Sequence, residues 1–279
     1  MNRIELKTLE MYMLSATIPL VSEQTVDGSP TLLGTCTMIE AAGKVFLVTA
    51  SHVLDENHEL TKMAIPTGPF KGELWTLGSC TRIVPTDETL DVGLLEIQTE
   101  QVQGLLKTGW HPIAFELIDV PSPRGRFVLC GYPEEKTIRS VEQLQGALLT
   151  VHSDRIDVPE DAEEPVREDL DLFLLYDESA EDLYGNKRHL PTLDGVSGSA
   201  LWEVREVQPG KIWSAHDVLK VVGLTIRYRK RAYFRAQQWW LVAEALAQHE
   251  DPAVATVGTS IGNRISPSWF KRTPRAHLA

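Results

Sequence analysis

Leu193-Asp194-Gly195-Val196-Ser197-Gly198-Ser199-Ala200-Leu201 sets a serine among glycines and runs at once into apolar residues. That pattern presents a hydroxyl on a tight turn at the head of a strand. Glycine reaches positive φ without steric cost, so neighbouring amides can turn toward one point. The N–H groups of Gly195 and Ser197 are then candidates to hold a developing oxyanion. Alone, Gly-x-Ser-Gly says little, because glycine and serine crowd surface turns.

Two further stretches give it meaning. Val45-Phe46-Leu47-Val48-Thr49-Ala50-Ser51-His52 is an apolar run ending in a histidine, and Asp91-Val92-Gly93-Leu94-Leu95-Glu96-Ile97 leads from an aspartate into another apolar run. A serine hydroxyl needs a base, and the base needs an acid to fix its tautomer and balance its cation. The order His, Asp, Ser differs from the Ser, acid, His of α/β-hydrolases and the Asp, His, Ser of subtilisins. Asp87 and Glu88 compete for the acid role, but only Asp91 directly precedes a strand pattern. Ser199 competes with Ser197, but only Ser197 is followed directly by glycine and has Gly195 two places before it. The other histidines lack such a setting. There is no HExxH, no CxxC pair and no zinc-ligand spacing, so neither metal nor cofactor is expected.

Thr49-Ala50-Ser51-His52, Asp91-Val92-Gly93-Leu94-Leu95 and Gly195-Val196-Ser197-Gly198-Ser199 together resemble the three signatures of the chymotrypsin (trypsin-like) serine protease family. Val128-Leu129-Cys130-Gly131-Tyr132-Pro133 is similar to a strand end of its bacterial, disulfide-free branch. The resemblance runs from about residue 31 to about residue 233. It implies an all-β fold of two six-stranded antiparallel β-barrels with a C-terminal helix and the site in the crevice between them. It also implies a serine endopeptidase with His52, Asp91 and Ser197 as catalytic triad, acting on protein or peptide substrates. By the same resemblance Pro191, six positions before Ser197, falls at the floor of the pocket for the residue before the scissile bond. The strand carrying Ile226 and Tyr228 forms one wall, with the Tyr228 ring narrowing the mouth toward small aliphatic residues. Asp194 and the acidic stretch downstream of residue 154 would favour basic residues at outer subsites. Family members activated by cleavage carry an aspartate just before the serine; Val196 stands there instead and cannot pair with a new N-terminus. The oxyanion turn must then be ordered by packing or by a regulatory partner protein. The alternative reading is a protease-like binding or regulatory module whose site is rarely assembled.

Composition agrees with a folded globular chain. Of 279 residues, 43% are hydrophobic and 24% charged, and no apolar run approaches the ~20 residues of a membrane span. A net charge of −12 argues against a nucleic-acid-binding surface. The first residues mix Arg3 and Lys7 with Glu5 and Glu10, which is no secretory n-region. Cys36, Cys80 and Cys130 are odd in number and widely spaced, which reads as free thiols in a cytoplasmic protein.

Along the chain, residues 1–120 form the expected first barrel with His52 and Asp91, and 121–250 the second with Ser197. Residues 251–279 read as a polar, basic tail. A first strand is expected over 16–21 after a short polar lead, a short helix over 101–108, and a helix over 237–249 with Trp239, Val242, Ala243 and Leu246 on one stripe. The segment 154–171 holds nine carboxylates against two arginines and reads as a solvated, mobile loop.

Overall fold

In a computed structural model the chain is described at residues 1–22, 30–54, 59–69, 71–85, 87, 89–139, 144–206, 210 and 213–265. It opens on a helix, α1 (Arg3–Ala16), where the sequence suggests only a polar lead before the expected first strand. Asn2 caps it: its side chain accepts from the Ile4 and Glu5 amides, and the Glu5 carboxylate accepts from the Asn2 amide. Such a capping box satisfies amides that the first turn leaves unpaired. Leu9, Met13 and Ala16 form its buried stripe.

Seven strands follow: β1 (Thr17–Ser22), β2 (Thr31–Ala41), β3 (Lys44–Thr49), β4 (Met63–Gly68), β5 (Lys71–Thr76), β6 (Cys80–Ile83) and β7 (Gly93–Ile97). They form one antiparallel sheet in the order β5-β4-β1-β2-β3-β7-β6. The helix α2 (Glu100–Gly109) closes this half, burying Val102 and Leu106. The second half begins with β8 (Arg126–Gly131). The short pair β9 (Thr137–Arg139) and β10 (Leu144–Gly146) stands apart from the sheet. Then come β11 (Leu149–Ser153), β12 (Arg155–Ile156) and β13 (Asp171–Leu175), followed by the hairpin of β14 (Ser179–Glu181) and β15 (Lys187–His189). The chain ends with β16 (Ala200–Val204), the short helix α3 (Ala215–Val218), β17 (Leu219–Arg229), β18 (Tyr233–Gln238), α4 (Trp240–Ala247) and α5 (Pro252–Ile265). The second sheet runs β11-β8-β16-β17-β18-β13-β12. The all-β architecture of two curled antiparallel sheets with a C-terminal helix is therefore present, each sheet having seven strands instead of six.

Period-two alternation gives these strands two buried faces. On β3, Val45 and Leu47 join the core of the first half, while Phe46 and Val48 face a central core shared by both halves. On β8, Phe127 and Leu129 enter the core of the second half, while Val128 and Cys130 face the shared one. Trp202, fully buried, and residues of α1, α4 and α5 complete the central layer. The two sheets are thus fixed on each other by an apolar layer as extensive as either interior. All three cysteines are free, with Cys36 and Cys130 buried.

Three expectations need correction. Gln237 and Gln238 end β18, and the helix begins only at Trp240. The expected tail is helical over Pro252–Ile265, burying Val254, Ile261 and Ile265. Its Arg264 donates to the carbonyls of Phe115 and Ile118. Residues 266–279 lie outside the described residues. The acidic segment stays largely solvent-exposed, as expected, but ion pairs tether it. Arg227 pairs with Glu163, Arg229 with Asp161 at 2.7 Å, and Arg235 with the fully buried side chain of Asp171 at 2.5 Å. Backbone groups join in, the Glu163 amide donating to the Tyr233 hydroxyl and Arg235 donating to the Glu163 carbonyl.

Candidate active site

β3 and β7 pair antiparallel with Thr49 opposite Gly93, so the residues just after one strand and just before the other converge. His52 lies in a single 3₁₀ turn, Ser51–Leu54, anchored by buried Val53 and Leu54. His52 Nδ1 lies 2.7 Å from Asp91 Oδ2. The other oxygen, Oδ1, accepts from Ser51 Oγ at 2.7 Å and from the His52 amide at 3.1 Å. Burial pushes the Asp91 carboxyl up, but the bond from His52, the charge of its ring and the bonds from Ser51 and the His52 amide outweigh it. The net shift is downward. The His52 side chain is 46% exposed, which leaves Nε2 free to meet an incoming group. Asp87, the rival acid, is turned to its own loop: it accepts from Thr89 N and Oγ1 and pairs with Arg167. Glu88 lies outside the described residues.

Ser197 sits three residues before Ala200, the first residue of β16. Gly195 and Gly198 have φ of +87° and +88°. The Asp194 carbonyl accepts from Glu134 N at 2.7 Å, and the Val196 carbonyl from Ser199 N at 3.1 Å. In a trans peptide the N–H points opposite the carbonyl. The Gly195 and Ser197 amides are therefore turned away from those partners, and neither donates to another group among the described residues. Thr35 braces the turn from the first half: its hydroxyl donates to the Gly195 carbonyl at 2.8 Å and its amide to the Ser197 carbonyl at 2.8 Å. Val196, where the resemblance would place a carboxylate latch, is 1% exposed and packs in the core of the second half. Ser199 is fully buried, with its hydroxyl unpartnered, which separates it from the part-buried Ser197.

Close approach of the halves depends on Gly198. A Cβ there would stand 2.0 Å from Thr49 Oγ1 and 2.1 Å from the Thr35 carbonyl, in a backbone region side chains rarely adopt. Gly198→Ala is expected to destabilise the fold by roughly 2–4 kcal/mol. Denaturant unfolding checks this, and a loss below about 0.5 kcal/mol, the range of neutral surface changes, would contradict it.

The Ser197 hydroxyl points to the Ile226 carbonyl at 3.3 Å. No hydrogen bond joins it to His52 among the described residues. The remaining predicted residues surround this point. Ile226 is 4% exposed and its side chain belongs to the apolar core of the first half, so its carbonyl is the group that meets Ser197. Tyr228 stacks on Tyr176 at 6.0 Å and 21° between planes, and the Tyr176 hydroxyl donates to the Pro191 carbonyl at 3.1 Å. Two stacked tyrosine rings thus lie beside the Pro191 carbonyl. Burial and then the Asp194 charge raise the Tyr228 hydroxyl. Beyond Leu224, β17 pairs with β18 on one side, and among the described residues no strand is hydrogen-bonded to its other edge over Ile226–Arg229.

Two contributors escape a reading of the sequence. Ser51 was signalled only by standing next to His52. Gln237, whose side chain accepts from the Asp91 amide at 2.8 Å, had no signal at all. His249, by contrast, joins Glu96 and the Asp251 amide at the α4–α5 junction.

No family model matches the chain, and no curated protein does. Among solved structures, the inactivated protease paralogue S-I1 of the scabies mite is similar, with a TM-score of 0.49 and 15% identity over 82% of this chain and 90% of that one.

Proposed function

We propose that the chain is a trypsin-like serine endopeptidase, with Ser197 as nucleophile, His52 as base and Asp91 as its orienting acid. The observation that carries this reading is the Asp91 carboxylate held by three donors with Oδ2 on His52 Nδ1, while Thr35 of the same half holds the turn of a glycine-flanked serine. Ser197 Oγ would attack the scissile carbonyl carbon while His52 Nε2 takes its proton. The carbonyl oxygen would become an oxyanion facing the Gly195 and Ser197 amides. Collapse breaks the C–N bond, and His52 returns the proton to the leaving amine. Water then attacks the acyl-enzyme, giving its proton to His52. The C–Oγ bond breaks, and Oγ recovers the proton.

The hydroxyl must first leave the Ile226 carbonyl, a rotation about one side-chain bond. Hydrogen bonds of this kind are often loose until substrate arrives. The same bond favours the second reading, a binding module that keeps its hydroxyl parked. Covalent reaction of Ser197 with a fluorophosphonate discriminates the two.

Recognition along the unpaired edge of Ile226–Arg229 would be largely through main-chain hydrogen bonds. The Tyr176–Tyr228 stack supports a narrow apolar pocket accepting Ala, Val or Thr, each methylene changing selectivity by roughly 1–3 kcal/mol. Of the acids considered for outer subsites, Glu163 and Asp161 are already paired with Arg227 and Arg229, which leaves Asp194 as the acid that would favour basic residues there. A peptide library read by mass spectrometry is expected to give cleavage after small aliphatic residues, and Tyr228→Gly is expected to admit larger ones. Cleavage after Arg or Lys by the wild type, or an unchanged profile in the variant, would contradict this pocket.

A further inference from the structure

We infer that Gln237 is a positioning residue that sets the distance between Asp91 and Ser197 across the cleft. The inference rests on the proposed hydrolase site and names a residue outside the triad. Gln237 is 1% exposed on β18. Its Oε1 accepts from the Asp91 amide at 2.8 Å, and its Nε2 donates to the Thr89 carbonyl at 2.9 Å and to Asp171 Oδ1 at 3.2 Å. One donor and two acceptors surround the amide, so only one of its two orientations satisfies all three. Met or Leu would leave the Asp91 N–H and the Thr89 carbonyl without partners. Glu would put a carboxylate against a carbonyl and a second carboxylate.

The bonds matter because of what they connect. The described residues between Ile83 and Gly93 belong to no helix or strand, so the acid is carried on a loop. Gln237 stands opposite Leu224 on β17, and Leu224 stands opposite Ala200 on β16, three residues from Ser197. A short hydrogen-bonded path across three strands therefore links the loop of the acid to the nucleophile turn. Its far end is equally fixed. Asp171, with a fully buried side chain, also accepts from the Arg167 amide at 2.6 Å and from Arg235. The end of the acidic segment thus anchors Gln237, and Gln237 anchors Asp91. A displacement of about 1 Å among reacting groups can cost on the order of 100-fold in rate.

The test uses the full chain with Gln237→Met, similar in volume but without donor or acceptor, and Gln237→Glu, which keeps an acceptor for the Asp91 amide. Nitrogen-15 NMR of the His52 ring reports its tautomer without any turnover, so this readout stands even if no hydrolysis is found. The wild type should show a proton on Nδ1 with a far-downfield shift. Gln237→Met should lose that signature and lower the fluorophosphonate reaction rate roughly 10- to 100-fold, with peptide KM unchanged. Gln237→Glu should fall between the two. An unaltered His52 spectrum in a folded Gln237→Met protein would overturn the inference, as would equal rates for all three proteins. Should neither variant fold, hydrogen exchange in the wild type decides: strong protection of the Asp91 amide supports the bond, and exchange at an open-loop rate refutes it.

Discussion

Ser197→Ala is expected to lower peptide hydrolysis about 10⁶-fold, with His52→Ala close behind, because nucleophile and base act as a unit. Neither change should unfold the protein. The Ser197 hydroxyl makes one long bond, to the Ile226 carbonyl, and the His52 ring is 46% exposed. Thermal unfolding of the Ser197→Ala protein should match the wild type within about 0.5 kcal/mol, the usual range for changes that open no cavity. The turn itself is held by backbone contacts to Thr35 and by buried Val196, none of which the substitution removes. A residual rate well above the uncatalysed one should survive, supplied by the Gly195 and Ser197 amides. Ser197→Ala retaining even a tenth of wild-type hydrolysis would contradict the assignment.

Asp91→Asn should cost about 10⁴-fold in kcat, for a reason visible in the site. Oδ1 takes two donors, Ser51 Oγ and the His52 amide, so an asparagine would keep its oxygen there. Its NH₂ would then face His52 Nδ1, which could only accept, leaving the ring proton on Nε2. That tautomer cannot take the Ser197 proton. The depressed Asp91 carboxyl also links the site to pH. A carboxyl lowered by folding adds stability above its unfolded-state value, and that contribution disappears as pH falls through the lowered folded value. The stability difference between wild type and Asp91→Asn should therefore shrink on acidification below the ordinary carboxylate range. Chemical unfolding at stepped pH measures it, and a difference that grows on acidification would oppose the account.

How much of this was legible in the sequence follows from how local each signal is. His52, Asp91 and Ser197 each adjoin a short apolar strand, so their neighbours alone mark them as candidates, and the pairing of β3 with β7 brings His52 and Asp91 together. α1 was hidden because its last turn runs unbroken into the apolar Thr17–Ser22, and a continuous apolar run carries no period. α5 was hidden by Gly258 and Gly262, which read as breakers. In the fold, Gly258 lets α5 press against α4, where a Cβ would meet Ala247 N at 2.3 Å. The acidic segment looked unpaired because its arginines lie on strands far along the chain. Gln237 is the extreme case: 146 residues separate it from Asp91, and an amide at the end of a strand has no motif.

The most direct measurement is the site of covalent modification in the full-length wild-type protein treated with a fluorophosphonate and digested for mass spectrometry. A single adduct on Ser197, absent from His52→Ala, is the expected result. An adduct on Ser199, or a folded protein left unlabelled while a control serine hydrolase in the same tube reacts fully, would contradict the account.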